Sequence, residues 1–93
     1  MKTKNDRVRW TAQFKRDYKI ATQRNAEVGA LLEETTDMLL SGRTLPPRYR
    51  DHLLKNMKTP LRDCHLRPDL VLIYMRHGEH LILVRLGSHA EIF

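Results

Sequence analysis

The sequence has few of the residues from which disulfides and membrane spans are built. Its single cysteine, Cys64, excludes an internal disulfide and a metal site made of cysteines. No apolar run approaches the roughly 18 residues that a membrane-spanning helix needs. Residues 1–6 lead into charged sequence, unlike the apolar core of a secretory signal. We therefore expect a cytoplasmic protein that makes no use of a membrane.

Several familiar catalytic patterns are absent as well. The chain has no glycine-rich phosphate loop, no His-Glu-x-x-His pattern and no Gly-x-Ser-x-Gly turn. These absences exclude the P-loop nucleotidases, the zincins and the α/β-hydrolases. A chain of 93 residues buries only about 60–65% of its unfolded surface, so a deep cofactor cavity would compete with the core. We expect an open surface site that works without a cofactor.

Basic residues are abundant, and they are unevenly distributed along the chain. The net charge of the whole sequence is +6. Residues 1–25 carry +6, residues 26–42 carry −4, residues 43–68 carry +5 and residues 69–93 carry −1. A basic surface attracts phosphate groups, which makes nucleic acid the leading class of partner. Many small proteins are basic without binding nucleic acid, so charge alone leaves this open.

Two helices are predicted in the N-terminal half. Thr11 can cap the first helix. Its apolar residues recur at helical spacing opposite a basic face: Phe14, Tyr18 and Ala21 against Lys15, Arg16 and Lys19. Asn25 can cap the second helix, and Gly42 can end it in the left-handed conformation. The apolar stripe of this second helix comprises Val28, Leu31, Leu32, Thr35, Met38 and Leu39.

The remaining chain predicts strands. The alternation over residues 7–10 indicates a short first strand. Prolines interrupt residues 43–60, which should form at most a short turn around residues 49–54. Three strands follow, over residues 62–66, 70–74 and 80–86, with a turn at residues 77–79. The second of these is nearly all apolar and should be central.

The order of these elements, β-α-α-β-β-β, predicts an α+β fold. Its sheet should be mainly antiparallel, with the two helices packed on one side. The sequence shows no repeats and no linker, so residues 1–93 are expected to form one domain.

All five histidines lie at or after residue 52. Histidine titrates near neutral pH and is the usual proton donor and acceptor in catalysis. His77 and His80 belong to the predicted turn and are expected to face solvent without a role. The other three stand beside further reactive groups: His52, His65 and His89. A zinc site built from these histidines is chemically possible, but their spacing is unlike that of zinc ligands, so no metal is expected.

Two segments are suited to catalysis, and each has a structural alternative. Pro68 stiffens the segment that carries His65 and Asp69, and a rigid strand end can hold a catalytic group. The alternative is a turn in which the aspartate binds nearby amides. His89 follows the last strand, and Phe93 either stacks on a base or fills the core.

Three blocks of the C-terminal half stand in a fixed order. They are Tyr49-Arg50-Asp51-His52, then Arg62-Asp63-Cys64-His65-Leu66-Arg67-Pro68-Asp69 with Leu72-Ile73-Tyr74, then Arg85-Leu86-Gly87-Ser88-His89-Ala90-Glu91-Ile92-Phe93. In these blocks residues 45–93 resemble the YafQ-like toxins of the RelE superfamily. The N-terminal half agrees with that family in helix order and size. Leu70 stands where the family has tryptophan, and residues 53–56 depart from its Pro-Leu-x-Gly pattern.

The resemblance implies the RelE-like fold and the toxin of a type II toxin–antitoxin system, an endonuclease that cuts mRNA in the ribosomal A site. The implied partners are a cognate antitoxin, mRNA and the ribosome, with promoter DNA bound only through the toxin–antitoxin complex. The implied active-site residues are His52, His65, Asp69, His89 and Phe93.

RNA chemistry then suggests a metal-independent mechanism. The 2′-hydroxyl of RNA is the nucleophile, and the enzyme must move protons and stabilise the phosphorane. We expect His89 to act as the acid and His65 or Asp69 as the base, although the two labels could be exchanged. The residues expected to bind RNA or phosphate are Arg48, Arg50, Lys55, Lys58, Arg62 and Arg85.

Two other functions remain open at this point. A ParE-like toxin of the same superfamily inhibits DNA gyrase without catalysis, and it would not need the histidines. A basic RNA- or DNA-binding module would bind nucleic acid without cutting it.

Overall fold

A five-stranded sheet forms the centre of the computed structural model, which describes residues 4–55 and 57–93. The elements in chain order are α1 (Lys4–Arg7), β1 (Val8–Trp10), α2 (Ala12–Arg24), α3 (Val28–Leu40), a 3₁₀ turn (Pro47–Tyr49), β2 (His52–Leu53), β3 (Arg62–Arg67), β4 (Leu70–His77), β5 (His80–Gly87) and α4 (His89–Ile92). The strand order is β1-β5-β4-β3-β2. Only β1 pairs parallel, with β5. The predicted α+β fold with a mainly antiparallel sheet is confirmed.

The two long helices begin and end largely as their sequences predict. The Thr11 hydroxyl accepts a hydrogen bond from the Phe14 amide, which confirms the cap of α2. The predicted cap of α3 is wrong, because α3 is preceded by Glu27 without a side-chain cap. The Asn25 side chain instead accepts from the Glu27 amide within the connecting turn. Gly42 lies just beyond α3 at φ 78°, the left-handed conformation that glycine adopts without strain.

The predicted apolar strands form the middle of the sheet. The buried run of β4, residues 71–74, confirms the central strand. β4 and β5 form a hairpin whose ends, His77 and His80, pair across a two-residue turn with Gly78 at φ 60°. Both predicted helices contribute to the main core, which also contains side chains of β3, β4 and β5: Phe14, Val28, Leu32, Leu39, Cys64, Leu72, Tyr74, Leu81 and Leu83. Within the described residues, no helix is long and apolar enough to cross a membrane.

The structure also contains elements that the sequence patterns did not predict. Residues expected to hold only a short turn form the 3₁₀ turn and the two-residue strand β2. The residues after the last strand form the short helix α4. Residues 1–3 and 56 lie outside the described part. The loop geometry at residue 56, where the sequence departs from the family pattern, therefore stays untested, and the assignment of residues 1–93 to one domain stays a prediction.

Candidate active site

Strand β2 brings His52 to the sheet opposite Asp63 of β3. The two residues pair directly in the antiparallel register, and directly opposite residues share one face of a sheet. The distance between His52 Nδ1 and Asp63 Oδ1 is 4.0 Å. The shortest strand of the sheet therefore sets an imidazole beside a carboxylate.

Strand β3 presents Asp63 and His65 on the same face, because residues two apart in a strand point to the same side. The distance from His65 Nε2 to Asp63 Oδ1 is 3.6 Å. Asp63 is only 1% exposed, and its Oδ1 atom has no hydrogen-bond partner among the described residues. Most buried polar atoms are paired, so this oxygen is unusual, and ring nitrogens of His52 and His65 lie within 4.0 Å of it.

Helix α4 supplies the third histidine. Ser88 caps the helix: its hydroxyl accepts from the Glu91 amide, and its own amide donates to the Glu91 carboxylate. That backbone hydrogen bond, together with Arg24, lowers the pKa of Glu91. His89 is the first residue of the helix, with its Nε2 atom 3.9 Å from Asp63 Oδ2. A capped turn of helix, rather than a loose loop, thus aims His89 at Asp63.

Phe93 lies at the edge of this cluster. Its side chain is exposed, and its ring stacks on His89 with centroids 5.6 Å apart. The alternative that Phe93 fills the core is therefore wrong. The rings of His65 and His89 are also close, with centroids 5.0 Å apart. Three histidines consequently surround the buried Asp63 carboxylate, and the Phe93 ring lies against one of them, His89.

Solvent exposure separates the three histidines into two kinds. The side chains of His52 and His89 are 55% and 52% exposed, whereas that of His65 is 10% exposed. A bound molecule can reach the two outer rings directly. His65 is the most enclosed of the three rings and lies close to both Asp63 and His89.

Backbone carbonyls orient two of the rings. His52 Nδ1 lies 2.7 Å from the Arg50 oxygen, and His65 Nδ1 lies 3.3 Å from the Pro68 oxygen. A carbonyl oxygen only accepts, so each Nδ1 carries its proton and donates. In His52 this leaves the Nε2 atom available to take a proton, whereas in His65 that atom faces Asp63.

Asp69 lies apart from the histidines, at the exposed turn between β3 and β4. No ion pair within 4.0 Å joins it to a histidine in the described ranges. It lines an open groove of about 510 Å³ together with Ile20, Arg24 and Leu70. Asp63, rather than Asp69, is therefore the carboxylate that the fold brings to the histidines, and a catalytic role for Asp69 stays a prediction.

Arg62 belongs to a hydrogen-bond network centred on Asp51, the residue that precedes His52. Its Nε atom donates to Asp51 Oδ1 at 3.2 Å, and the Tyr74 hydroxyl donates to the same oxygen at 2.6 Å. Burial, followed by the hydrogen bond to Asp51, raises the pKa of Tyr74, so its hydroxyl stays a donor. The predicted phosphate ligand Arg62 is thus engaged within the protein, although its side chain is partly exposed.

Arg85 is likewise held by a carboxylate. Its Nε atom donates to Asp17 of α2 at 2.8 Å. Arg85 pairs with Ile73, which pairs with Asp63, so the three residues lie in one row across the sheet. Arg85 therefore borders the histidine face while it anchors α2.

The other predicted RNA-binding residues have exposed side chains that take no part in the Asp51 and Asp17 contacts: Arg48, Arg50, Lys55 and Lys58. The guanidinium of Arg48 lies over the Tyr49 ring, 4.9 Å from its centroid. The basic residues of α2 are exposed as well: Lys15, Arg16 and Lys19. These side chains give the protein two cationic surfaces.

Three residues of the cluster also fit a metal ion. Asp63, His65 and His89 offer ligand atoms that all lie within 4.8 Å of one another. Two imidazoles and a carboxylate with an unpaired buried oxygen are a donor set that suits Zn²⁺ or Cu²⁺. Burial raises the pKa of the neighbouring Cys64 thiol, which leaves it a poor additional ligand.

Asp63 is the member of the histidine cluster that the sequence patterns did not single out. The sequence does contain an indication of its position. Asp63 stands two residues before His65 in a predicted strand, so the two side chains are expected on the same face of the sheet. What the sequence did not reveal was strand β2, whose register also places His52 against Asp63.

Fold and site together define a small basic α+β protein with an exposed histidine pair over a buried carboxylate. Residues 6–93 match the family model described as bacterial toxin of type II toxin-antitoxin system, YafQ. The mRNA interferase toxin YafQ of Escherichia coli (strain B / BL21-DE3) is 33% identical over 86 residues, which is 92% of this chain and 94% of that protein. The chain therefore belongs to the YafQ family of type II toxins.

Solved structures agree with this assignment. A metal-bound toxin from Helicobacter pylori is 38% identical with a TM-score of 0.86, over 92% of this chain and 97% of that chain. YafQ in the Escherichia coli DinJ–YafQ toxin–antitoxin complex is 32% identical with a TM-score of 0.83, over 92% and 96% of the two chains. The fold prediction is thus confirmed at the level of the family.

Proposed function

We propose that this chain is an mRNA interferase, a cytoplasmic endoribonuclease that cuts mRNA in the ribosomal A site. The observation that carries the proposal is the convergence of three histidines on the buried Asp63 carboxylate. A site of this kind can accept and donate protons, and its imidazoles can donate hydrogen bonds to the negatively charged phosphorane, which are the needs of RNA cleavage. The relative from Escherichia coli that bears the name mRNA interferase supports it.

His52 is the residue best placed to take the proton of the 2′-hydroxyl. Its Nδ1 atom faces the Arg50 carbonyl, and its exposed ring leaves Nε2 free. This assignment differs from the expectation from sequence, in which His65 or Asp69 was the base. His65 is too buried to be the first choice, and Asp69 lies at a turn away from the cluster.

His89 is the residue best placed to protonate the leaving 5′-oxygen. It is exposed, and its Nε2 atom lies 3.9 Å from Asp63 Oδ2. The His65 Nε2 atom lies 3.6 Å from Asp63 Oδ1, and the His65 ring centroid lies 5.0 Å from that of His89. The exposed Phe93 ring offers a base a surface for stacking, beside the His89 ring that it already contacts.

Cationic side chains would bind the phosphates of mRNA and rRNA. Arg85 lies in the same row of the sheet as Asp63 and is a candidate for binding the scissile phosphate, although it also donates to Asp17. The exposed basic loop and the basic face of α2 would contact the ribosome, where neutralised phosphates release counterions.

A metal ion at Asp63, His65 and His89 would supply a positive charge for phosphate oxygens, and it would occupy ring nitrogens that otherwise exchange protons. The acid–base pair proposed above needs no such ion, because His52 and His89 accept and donate the protons themselves.

A cognate antitoxin is the expected inhibitor. The homologous toxin from Escherichia coli forms a complex with the antitoxin DinJ. An acidic or amphipathic antitoxin segment that folds on binding could cover the basic surface of this chain. Promoter DNA would be bound through that complex rather than by the toxin alone.

Primer extension on translated mRNA tests the proposal. The wild-type protein should produce cuts that depend on ribosomes, and His89→Ala should abolish them while ribosome binding and the melting temperature persist. His77→Ala is the matched control, because His77 lies at the far hairpin turn. Cleavage by His89→Ala at the wild-type rate, or equal loss in a folded His77→Ala protein, would contradict the assignment. Inhibition of DNA gyrase would favour the ParE-like alternative, and binding without cleavage the plain binding module.

A further inference from the structure

Asp51, the residue immediately before His52, is tied to the core of the sheet by a buried hydroxyl group. Tyr74 is 1% exposed within β4, and its hydroxyl donates to Asp51 at 2.6 Å. Arg62 donates to the same carboxylate oxygen from β3, where it pairs directly with Tyr74. Asp51 is thereby held from two strands, immediately before His52.

The backbone just before this contact has an unfavourable conformation. Arg50 has φ 49° and ψ 40°, and it is the only residue other than glycine with positive φ in the described ranges. The left-handed region is disfavoured for a residue with a Cβ atom, so such a conformation persists only where surrounding contacts impose it. The carbonyl of Arg50 is the acceptor for His52 Nδ1.

These contacts form a chain from the core to the imidazole. We infer that Tyr74 is a positioning residue for His52, which acts through Asp51 to hold the Arg50 carbonyl where it fixes the proton of His52 on Nδ1. Its hydroxyl touches neither substrate nor reacting atoms. The inference rests on the proposed function only in that His52 exchanges a proton with RNA.

A double-mutant cycle tests the role of Tyr74 in cleavage. Tyr74→Phe removes the hydroxyl and retains the ring, so it should lower the single-turnover cleavage rate of ribosome-bound mRNA by roughly ten- to a hundredfold. In a His52→Ala background the same substitution should cause no further loss, because there is no ring left to position. Tyr18→Phe, in the aromatic cluster of α2 with Trp10, is the control and should cleave like the wild type.

A second measurement does not depend on activity. Long-range ¹H–¹⁵N correlation spectra of the His52 ring should show one tautomer, with the proton on Nδ1, in the wild-type protein. Tyr74→Phe should give a mixture of tautomers together with faster amide hydrogen exchange at residues 50–53. Asp51→Asn keeps an acceptor for the Tyr74 hydroxyl but removes the negative charge that pairs with Arg62. It should therefore give a smaller tautomer mixture and a smaller rise in amide exchange than Tyr74→Phe.

The outcomes separate this inference from the proposed function. If wild-type protein leaves mRNA intact, the proposed function fails, and the ring spectra alone decide whether Tyr74 positions His52. If Tyr74→Phe lowers the rate equally in both backgrounds, its effect is a general structural one and the inference is overturned. Unchanged His52 signals in Tyr74→Phe overturn it as well. Should Tyr74→Phe not fold, Asp51→Asn carries both measurements.

Discussion

Asp17 joins helix α2 to strand β5, and its replacement should be costly. Its carboxylate accepts hydrogen bonds from Arg85 Nε at 2.8 Å, from the Leu86 amide at 3.0 Å and from the Gln13 side chain at 3.0 Å. The residue is 8% exposed. Asp17→Ala would leave the Leu86 amide without its acceptor and the Arg85 guanidinium without its partner.

The size of the loss follows from these contacts. A buried donor left unpaired costs about 1–3 kcal/mol, and a hydrogen bond to a charged group contributes about 1.5–3 kcal/mol. The Arg85 side chain is 32% exposed, and water partly replaces its lost partner, which places the total near 2–4 kcal/mol. For a domain of this size each kcal/mol shifts the melting temperature by about 4–8 °C, so a drop of roughly 8–32 °C is expected.

The same carboxylate should contribute to acid sensitivity. Burial alone would raise the pKa of Asp17, but hydrogen bonds from Arg85, Leu86 and Gln13 outweigh it and hold the pKa below its usual value. A group whose pKa is lowered on folding stabilises the protein above its unfolded pKa, near 3.9, and loses that contribution as the pH falls through the folded value. The difference between wild type and Asp17→Asn should therefore shrink below about pH 4.

Thermal melts followed by circular dichroism at pH 7 and pH 3 measure both effects. Glu34→Gln, on the exposed face of α3, is the matched control and should melt like the wild type. A melting temperature for Asp17→Ala within about 3 °C of the wild type at pH 7 would refute the energetic argument, because that shift corresponds to less than about 1 kcal/mol.

Two further predictions concern the proposed activity. Cleavage of ribosome-bound mRNA should persist in EDTA wherever the ribosomes stay intact, because in the proposed mechanism His52 accepts one proton and His89 donates the other; activity that returns only with added zinc would exclude the metal-independent mechanism. Charge reversal at Lys15 and Lys19 should weaken ribosome binding and flatten its salt dependence without changing the melting temperature, since both side chains are exposed. Unchanged affinity in a filter-binding titration would show that this face of α2 does not meet the ribosome.

The central elements of the fold were predictable because their signals are local. The apolar run 71–74 by itself indicates a strand that is buried on both faces, and it forms the buried part of β4. Thr11 caps its helix with its own hydroxyl, a contact that spans only three residues. The cap assigned to Asn25 was wrong because the same side chain can bind an amide in a turn, and sequence does not distinguish the two geometries.

The parts that sequence did not predict depend on distant pairing. Strand β2 has two residues, too few for a periodic pattern, and it exists because β3 offers an unpaired edge. The approach of His52 to Asp63 follows from that pairing alone. Helix α4 carries a recognisable Ser88–Glu91 capping box. The helix spans only one turn, which is too short for a helical repeat of apolar residues to support that local signal.

The place of β5 in the sheet has a consequence for biosynthesis. β5 lies between β4 and β1, and Val8 of β1 pairs with Leu81 of β5. Strand β1 therefore cannot pair until the ribosome has synthesised about seventy further residues. Such long-range pairing delays folding until the late segments are available. His89 is translated later still. A nascent chain therefore cannot assemble the three-histidine cluster, and the message that encodes the protein is read through to residue 89 before the cluster can exist.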